Sequence, residues 1–440
     1  MRHFLENLNE TRAFDLAEAH DAVSLLRDQI VHRSRDCDPS TPCIVGQEKL
    51  IDGLIMALIL GEHCLIEGYP GLAKTELSKT MANMLGLVFR RIQFTPDMLP
   101  SDLISRERLQ MVNGHPATKW EPGPIFTNVL LADEINRASS KLQSALLEAT
   151  EERQVTTLYE QRMLIRPKSP VDEEELLRKY GPFFGSDPIP EGQLQHFMLL
   201  ATMNPIEQEG VFPLSEAQID RFAFKLVVDY PPGPDLEEIS KHAFEQSRLE
   251  HAPSADDGRN HVKTLYFLSH LRRMLIGKDA QARWLVDQDL RRRCEWLINF
   301  SHLRPLHREH DDAGLAFAWA PPPGVKQDEL LAQLSLWSAS KDRADQLRAE
   351  QMLTMCESES YPEVLSGSSP RGLLKLVRAI HAHAFLRGRF LETSVEPKWE
   401  DVRAVAPEVL RHRIRISAAS LSMRAEADSY IAGLLQWLDK

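Results

Sequence analysis

A glycine-bearing loop between an apolar run and a helix-like segment constrains this chain most. The loop reads Gly68-Tyr-Pro-Gly-Leu-Ala-Lys-Thr75, after the run 63–67 and before the segment 76–85. Strand, loop and helix form the setting of a phosphate-binding loop, whose backbone N–H groups converge on phosphate oxygens at a helix N-terminus. We expect Lys74 to reach the β/γ-phosphates and the Thr75 hydroxyl to bind Mg²⁺. Position 73 is Ala where the G-x-x-x-x-G-K-[ST] pattern has Gly, so the interpretation needs support elsewhere.

Apolar runs that alternate with helix-like segments indicate the fold class. The runs cover 63–67, 87–94, 128–134 and 195–204, and 141–153 is one of the helix-like segments between them. The run at 128–134 is continuously apolar until it ends in acids, which is typical of a strand buried on both faces of a parallel sheet. The alternation predicts a doubly wound α/β sheet.

Polar residues at the ends of two predicted strands could supply hydrolytic chemistry. Asp133 and Glu134 end one strand, where open α/β sheets place their ligands. Asp133 would hold Mg²⁺ through water and Glu134 would act as general base on the attacking water. The alternative is a strand ending in two solvated acids, which the upstream phosphate loop disfavours. Asn204 could orient the water, or it could simply form a turn before Pro205.

Two arginines are further candidates. Arg221 lies just before the apolar segment 222–228 and could stabilise transition-state charge at a neighbouring subunit's nucleotide. Alternatively, it pairs with Glu216 or Asp220. Arg371 opens a late helix and suits a lid residue that reaches phosphate, or it is satisfied locally at the helix start, where the dipole disfavours a cation.

Composition narrows the class of protein. The 440 residues carry a formal net charge of −12, so bulk attraction to nucleic acid or to an anionic membrane is absent. The five cysteines form no C-x-x-C motif, which excludes zinc-ribbon and thioredoxin readings and suits a reducing cytoplasm. The N-terminus has no signal-peptide core, and the longest apolar run, 54–60, is far shorter than the ~20 residues of a membrane span. We therefore expect a soluble, cytoplasmic protein.

Several motifs in the expected order resemble the MoxR family of AAA+ ATPases, over residues 43–234 and 366–437. The resemblance rests on the phosphate loop and on the segments Arg91-Ile-Gln-Phe-Thr-Pro-Asp-Met-Leu-Pro-Ser-Asp102, Gly123-Pro-Ile-Phe126, Leu131-Ala-Asp-Glu-Ile-Asn-Arg137, Gln143-Ser-Ala-Leu-Leu-Glu148, Ala201-Thr-Met-Asn-Pro-Ile-Glu-Gln-Glu-Gly210, Pro213-Leu-Ser-Glu-Ala-Gln-Ile-Asp-Arg-Phe222, Ser369-Pro-Arg371 and Ala406-Pro-Glu-Val-Leu-Arg-His-Arg413. Ala at position 73 is a common variant in this family.

The resemblance implies a role for each matching residue, with ATP and Mg²⁺ as cofactors. Arg137 becomes a second candidate for a subunit-interface arginine. The implied roles are Walker A for Gly68, Tyr69, Pro70, Gly71, Leu72, Ala73, Lys74 and Thr75, followed by Glu76; adenine proximity for Val45 and Gly46; Walker B for Asp133 and Glu134; sensor 1 for Asn204; arginine finger for Arg221; and sensor 2 for Arg371.

The resemblance also implies an architecture: an AAA+ P-loop NTPase core, with a parallel sheet flanked by helices, and then an all-α lid with a helical insertion. The predicted domains are an N-terminal helical extension (1–43), the ATPase core (44–234), a helical linker and insertion (235–365) and the C-terminal lid (366–440). Within the core, a helix-2-type insert falls in 94–123, as a β-hairpin near a central pore, and a further insertion covers 163–195. The extension and the insertions at 163–195 and 251–345 depart from the short family pattern.

Family members form ring hexamers, commonly work with a partner that carries a von Willebrand factor A domain, and act as chaperones that remodel or activate a protein client. The resemblance implies the same for this chain. Two alternatives stay open at this stage. One is a nucleotide-gated scaffold with little turnover. The other is a nucleic-acid motor like the related MCM helicases, which the acidic balance and the missing zinc motif disfavour.

Overall fold

A computed structural model describes most of the elements predicted above. The described residues are 14–32, 47–69, 74–85, 87–112, 115–156, 161–163, 196–204, 212–228, 259–276, 288–302, 335, 338–339, 346, 349–350, 364–391, 394–416 and 427–439. Packing divides the chain into two compact units, Met1–Gly277 with Phe385–Val395, and Lys278–Ala384 with Glu396–Lys440. Each unit is considered by itself.

The elements follow one another in an order that alternates strands and helices through the first half of the chain. They begin with α1 Leu16–His32, α2 Glu48–Leu60, β1 Cys64–Gly68, α3 Lys74–Met84, β2 Phe89–Gln93, α4 Pro100–Ile104, β3 Ser105–Val112, β4 His115–Pro122, β5 Val129–Asp133, α5 Ser140–Glu152, β6 Gln154–Thr156, β7 Gln161–Met163, β8 Met198–Met203, α6 Glu216–Ile219, β9 Phe224–Val228 and α7 Arg259–Ile276. They continue with α8 Gln288–Phe300, β10 Val364–Ser366, α9 Pro370–Leu386, β11 Phe390–Leu391, β12 Ser394–Val395, α10 Trp399–Leu410, β13 Arg415–Ile416 and α11 Ala427–Asp439.

A five-stranded parallel sheet forms the centre of the first unit, in the order β2-β5-β8-β1-β9. The four predicted strands are all present, and β9 adds a fifth within the apolar segment 222–228. The chain runs from β1 to the far edge, returns through neighbouring strands to β8 and crosses β1 to reach β9. The carboxyl ends of β1 and β8 therefore border a topological switch point, where open sheets bind ligands. The predicted α/β fold class is confirmed.

The centre of the sheet is buried because its strands, such as β5, are apolar on both faces. Val129, Leu130, Leu131 and Ala132 of β5 are fully buried. Each large side chain buried in this way contributes roughly 1.5–3 kcal/mol to folding. This packing makes the strand ends a rigid base for the polar residues that follow them.

A half-buried arginine connects three elements of the first unit. Arg153 follows α5 in the left-handed region, with φ of 56°. Its guanidinium donates to the carbonyl oxygen of Gly61, at 2.7 Å, and to that of Phe197. Burial lowers the pKa of Arg153, and the charge of Glu62 opposes that shift. The contacts join the end of α5 to the end of α2 and to the residue before β8.

A histidine beside this arginine makes a second connection. His63, which is buried, accepts the Leu199 N–H at Nδ1, at 3.0 Å. Since Nδ1 accepts, the ring proton lies on Nε2, which donates to the Thr150 carbonyl oxygen at 2.9 Å. The neutral ring thus joins the residue before β1 to β8 and α5.

Helices outside the sheet belong to the first unit as well. An ion pair joins Arg27 of α1 to Asp52 of α2, with Nε–Oδ1 at 2.5 Å and Nη2–Oδ2 at 3.1 Å. α7 packs against α1 and α2, although the sequence assigned it to a linker and insertion. α1 lies within the predicted N-terminal extension, so a helix is present there as expected. The predicted domain boundaries stay predictions.

A β-hairpin lies within the predicted 94–123 insert. β3 and β4 pair antiparallel from Ser105↔Pro122 to Val112↔His115. Its position near a central pore stays a prediction. Most of the 163–195 insertion and the larger part of 251–345 lie outside the described residues.

The second unit is mostly helical where it is described. Trp296 of α8 stacks on Trp437 of α11, with ring centroids 5.7 Å apart. Asp401, in the first turn of α10, accepts the Lys398 N–H at 2.8 Å and the His383 Nδ1–H of α9 at 2.7 Å. These contacts join α8 to α11 and α9 to α10, and α10 packs against α11. Across the described parts of both units, none of the helices has the length and apolar character to cross a membrane.

Candidate nucleotide-binding site

The candidate site lies at the carboxyl edge of the sheet. β1 ends at Gly68, and α3 begins at Lys74 with Thr75 as its second residue. A Cβ on Gly68 would lie 2.9 Å from both the Cβ and the carbonyl oxygen of Val228, so close packing of β1 against β9 requires glycine here. The loop between strand and helix, 70–73, lies outside the described residues.

Lys74 is directed at the backbone of its own loop. Its Nζ donates to the carbonyl oxygens of Gly68, at 2.5 Å, and Tyr69, at 3.2 Å. Burial lowers the pKa of Lys74, and the charges of Asp133 and Glu134 oppose the shift. The ammonium therefore lies within the electrostatic field of Asp133, predicted to hold Mg²⁺, and Glu134, predicted to act as general base.

Asp133 is held through both carboxylate oxygens. Arg91 of β2 donates to Oδ2 from Nε, at 3.0 Å, and from Nη2, at 2.6 Å. Thr202 of β8 donates its hydroxyl to Oδ1 at 2.5 Å. The side chain of Asp133 is 15% exposed, whereas that of Arg91 is 46% exposed. The carboxylate is thus fixed by groups from the strands on either side of β5.

Glu134 has an uncommon backbone conformation. Its φ of 56° and ψ of 51° are in the left-handed region, which residues other than glycine seldom occupy. Its N–H donates to the Thr202 hydroxyl at 3.0 Å, and Arg137 Nε lies 3.0 Å from its Oε2. That oxygen is buried, and its contact with Arg137 is an ion pair that does not meet hydrogen-bond geometry. A residue other than glycine in this backbone conformation is strained, and such residues cluster at functional sites.

The other predicted catalytic residues have clear places in the fold. Asn204 comes directly after β8, at the same edge as Asp133 and Glu134. Arg221 follows α6, and its Nη2 lies 2.6 Å from Oε2 of Glu151, a partner that the alternative interpretation did not name. Arg371 is the second residue of α9, in the second unit. The catalytic roles assigned to these three residues stay predictions.

Several predicted site residues lie outside the described part of the chain. Those outside the description are Val45, Gly46, Pro70, Gly71, Leu72, Ala73 and the side chain of Glu76.

The structure adds three residues to the site: Arg91, Thr202 and Arg137. All three fall in segments that carried the family resemblance, but no local sequence pattern connected them to the two acids. The register is the missing information. Ala132 of β5 pairs with Ala201 of β8, which places Asp133 beside Thr202. Arg137 was predicted at a subunit interface, and within this chain it pairs with Glu134.

The donor set fits a nucleotide with Mg²⁺. Four residues at one sheet edge supply the groups: Lys74 an ammonium, Thr75 a hydroxyl, and Asp133 and Glu134 carboxylates. Hard oxygen donors are those that Mg²⁺ prefers. No cage of three or more His, Cys, Asp or Glu side chains occurs in the described part of the chain. One or two carboxylates together with substrate phosphates are the usual way of holding Mg²⁺. Thr75 and Asp133 are the residues that would hold it here.

Comparison with known families identifies two domains in this chain. The family model described as "ATPase family associated with various cellular activities (AAA)" matches residues 63–199 and 191–224. The AAA lid domain model matches residues 357–430. The first match covers the sheet strands from β1 to the start of β9, and the second covers the helices from α9 to the start of α11.

Individual proteins resemble this chain over most of its length. It is 31% identical over 393 residues to Chaperone MoxR1 of Mycobacterium tuberculosis, covering 89% of this chain and 78% of that one. It is 26% identical over 395 residues to Protein MoxR of Paracoccus denitrificans, covering 88% and 90%. A crystal structure of a candidate ATPase from Cytophaga hutchinsonii superposes with a TM-score of 0.62 at 26% identity, covering 96% of this chain and 95% of that one.

Proposed function

We propose, because the chain belongs to the MoxR family of AAA+ ATPases, that it binds ATP with Mg²⁺ and hydrolyses it to ADP and phosphate. The observation that carries the proposal is the convergence of Lys74, Asp133 and Glu134 at one sheet edge, where the acids act electrostatically on the ammonium. Three groups of these types at a phosphate loop are the parts that phosphoryl transfer to water requires.

The chain's own residues divide the chemistry between them. Lys74 exchanges its loop carbonyls for phosphate oxygens, which offer it full negative charge. Glu134 accepts the proton of the attacking water at its carboxylate, and Asn204 orients that water. Thr75 and Asp133 would hold Mg²⁺, which would supply positive charge to neutralise the phosphate. Arg221 from a neighbouring subunit and Arg371 from the lid complete the stabilisation of that charge.

The test is the ATPase rate of the wild type against Glu134→Gln. We expect the rate to fall about 10²–10⁴-fold, the usual contribution of a general base, while binding of a fluorescent ATP analogue persists. Glu152→Gln is the control, since Glu152 is an exposed residue at the end of α5. Equal rates in wild type and Glu134→Gln would contradict the catalytic role. No turnover in either protein, with nucleotide binding retained, would favour the nucleotide-gated scaffold.

We further propose that the chain forms a ring oligomer, most simply a hexamer, which remodels or activates a protein client together with a von Willebrand factor A domain partner. One relative is named a chaperone, which supports the proposed action on a protein client. The Glu134→Gln variant should retain ATP and so trap both proteins in a pull-down, whereas Lys74→Ala should not. Recovery of neither a client nor such a partner by the trap would count against this proposal.

Two further points complete the proposal. The five cysteines are sparse for 440 residues and form no C-x-x-C motif, which supports a reducing cytoplasm as the compartment. A nucleic-acid motor is disfavoured by the net charge of −12. Addition of single- or double-stranded DNA across a salt series should leave the ATPase rate unchanged, and stimulation would revive that alternative.

A further inference from the structure

We infer that Thr202 is a positioning residue that holds the backbone of Glu134 and the carboxylate of Asp133 in their working geometry. The inference rests on the proposed ATPase function, and it assigns to a buried threonine a part in the reaction that the sequence motifs did not indicate. Thr202 does not touch the reacting atoms in this scheme, since it acts through the two acids.

The hydrogen bonds of the Thr202 hydroxyl leave it one orientation. A carboxylate can only accept, so the hydroxyl proton goes to Asp133 Oδ1, at 2.5 Å. A backbone amide can only donate, so the Glu134 N–H goes to a lone pair of the same oxygen, at 3.0 Å. One hydroxyl therefore fixes a side chain and a backbone group of consecutive residues.

The Glu134 backbone needs such a contact. Its left-handed conformation turns the chain away from β5 and into the turn Ile135–Arg137, where the Arg137 N–H donates to the Glu134 carbonyl oxygen at 2.9 Å. Without Thr202, the amide of Glu134 would lose its partner, and the strained conformation would lose one of the contacts that maintain it. The direction in which the Glu134 carboxylate leaves the backbone would then vary.

Thr202 is placed to resist that variation. Thr202 is 2% exposed, and it lies on β8, which pairs with both β5 and β1 in the middle of the sheet. A hydroxyl on a central strand has little freedom to move, and in a site of low dielectric its hydrogen bonds are stronger than in water. The sheet thereby transmits its rigidity to the first residue beyond β5.

A positioning role predicts a specific kinetic pattern. Displacement of the base by a fraction of an ångström slows the chemical step but leaves nucleotide contacts largely unchanged, because Glu134 serves the attacking water and not ATP binding. Loss of the hydroxyl should therefore reduce kcat more than it changes KM for ATP.

The experiment compares three variants of the full-length protein. Thr202→Val removes the hydroxyl at nearly constant volume, and Thr202→Ser retains it. Thr264→Val is the matched control, because Thr264 is fully buried in the same unit and donates its hydroxyl to the Leu85 carbonyl oxygen at 2.6 Å. For each variant we would measure kcat and KM for ATP, the affinity for a fluorescent ATP analogue, and hydrogen exchange of the Glu134 amide.

We expect Thr202→Val to reduce kcat about 10–100-fold with KM nearly unchanged, and to accelerate exchange of the Glu134 amide. Thr202→Ser should restore protection and most of kcat. Thr264→Val should alter neither quantity. A Thr202→Val variant with loss of amide protection but wild-type kcat would overturn the role of Thr202 alone. Absence of Glu134-dependent turnover in the wild type would overturn the proposed function and this role together, so the comparison of the wild type with Glu134→Gln tells the two failures apart.

Discussion

At the residue scale, two cations would compete for the Asp133 carboxylate: the Arg91 guanidinium and the proposed Mg²⁺. Both of its oxygens already accept hydrogen bonds, and two of the three donors belong to the guanidinium of Arg91. A carboxylate that is to serve Mg²⁺ must lose some of this charge compensation, or share it. Arg91 is nearly half exposed, so its ion pair is a weak competitor that can be displaced without a large structural change.

Removal of Arg91 should therefore strengthen the interaction with Mg²⁺. We expect Arg91→Gln to lower the Mg²⁺ concentration that half-saturates binding of a fluorescent ATP analogue, by up to about fivefold, because an exposed ion pair is worth up to about 1 kcal/mol. Arg90→Gln, an exposed arginine on the same strand, should leave that concentration unchanged. A rise in the required Mg²⁺ would show instead that Arg91 holds Asp133 in its metal-binding position.

The same carboxylate shows what sequence can and cannot reveal about the site. Asp133 and Glu134 could be predicted because a local pattern, an apolar run ending in acids, places them at a strand end. Arg91 and Thr202 could not, because they reach Asp133 from strands that the chain brings alongside β5 only through the sheet order. Their contribution depends on non-local register, and no single stretch of sequence records it.

At the scale of elements, the same distinction separates strands from their connections. The strands and α5 follow from local periodicity and from the burial of a parallel sheet on both faces. Arg153, by contrast, follows α5 in a conformation that favours glycine, and it stays there because its guanidinium satisfies carbonyls 92 and 44 residues away in the chain. Propensity alone would assign such an arginine to an ordinary helix end.

α9 contains a buried histidine, His381, which should make the free energy of unfolding of the protein depend on pH. His381 is 5% exposed, and its Nδ1–H donates to the Val377 carbonyl oxygen at 2.8 Å. Burial lowers the pKa of His381, and the hydrogen bond and the charge of Asp401 oppose that shift without reversing it. The unfolded chain, with an ordinary histidine pKa of about 6.5, therefore binds more protons in mild acid than the folded one.

This sign predicts loss of stability on acidification. His381 should contribute its full stabilising effect above about pH 6.5, and the free energy of unfolding should fall as the pH drops below that value. Urea denaturation at about pH 7.5 and about pH 5.5 measures the difference, on either side of the histidine's ordinary pKa. The difference should be smaller in His381→Gln, whatever the absolute stability of that variant. An undiminished pH dependence would assign it to other groups.

At the scale of the whole molecule, the question is whether Arg221 could act on the nucleotide of a neighbouring subunit in the proposed ring. Arg221 pairs with Glu151 within the chain, so a role at a neighbouring subunit's nucleotide requires it to exchange that carboxylate for phosphate. The ion pair suits such an exchange, because Glu151 is an exposed residue and holds the guanidinium without strong desolvation.

Mixing of variants tests that exchange. Arg221→Ala should retain nucleotide binding and lose about 10³–10⁵-fold in rate, the effect of removing an arginine finger in other NTPases. Lys74→Ala should lose nucleotide binding, whereas Lys79→Ala, on the exposed side of the same helix, should not. In randomly mixed rings of Arg221→Ala and Lys74→Ala, about one quarter of the head-to-tail interfaces join an intact pocket to an intact arginine, so turnover should reappear.

Glu151→Gln distinguishes this role from a structural one. If Arg221 acts only by holding Glu151, then loss of either partner should reduce activity equally, and mixed rings should stay inactive. If Arg221 acts on the neighbouring nucleotide, Glu151→Gln should retain activity, because the arginine that it releases is still present. Inactivity of rings shown by native mass spectrometry to be mixed would therefore reject the trans role, and it would leave Arg221 as a support for the end of α5.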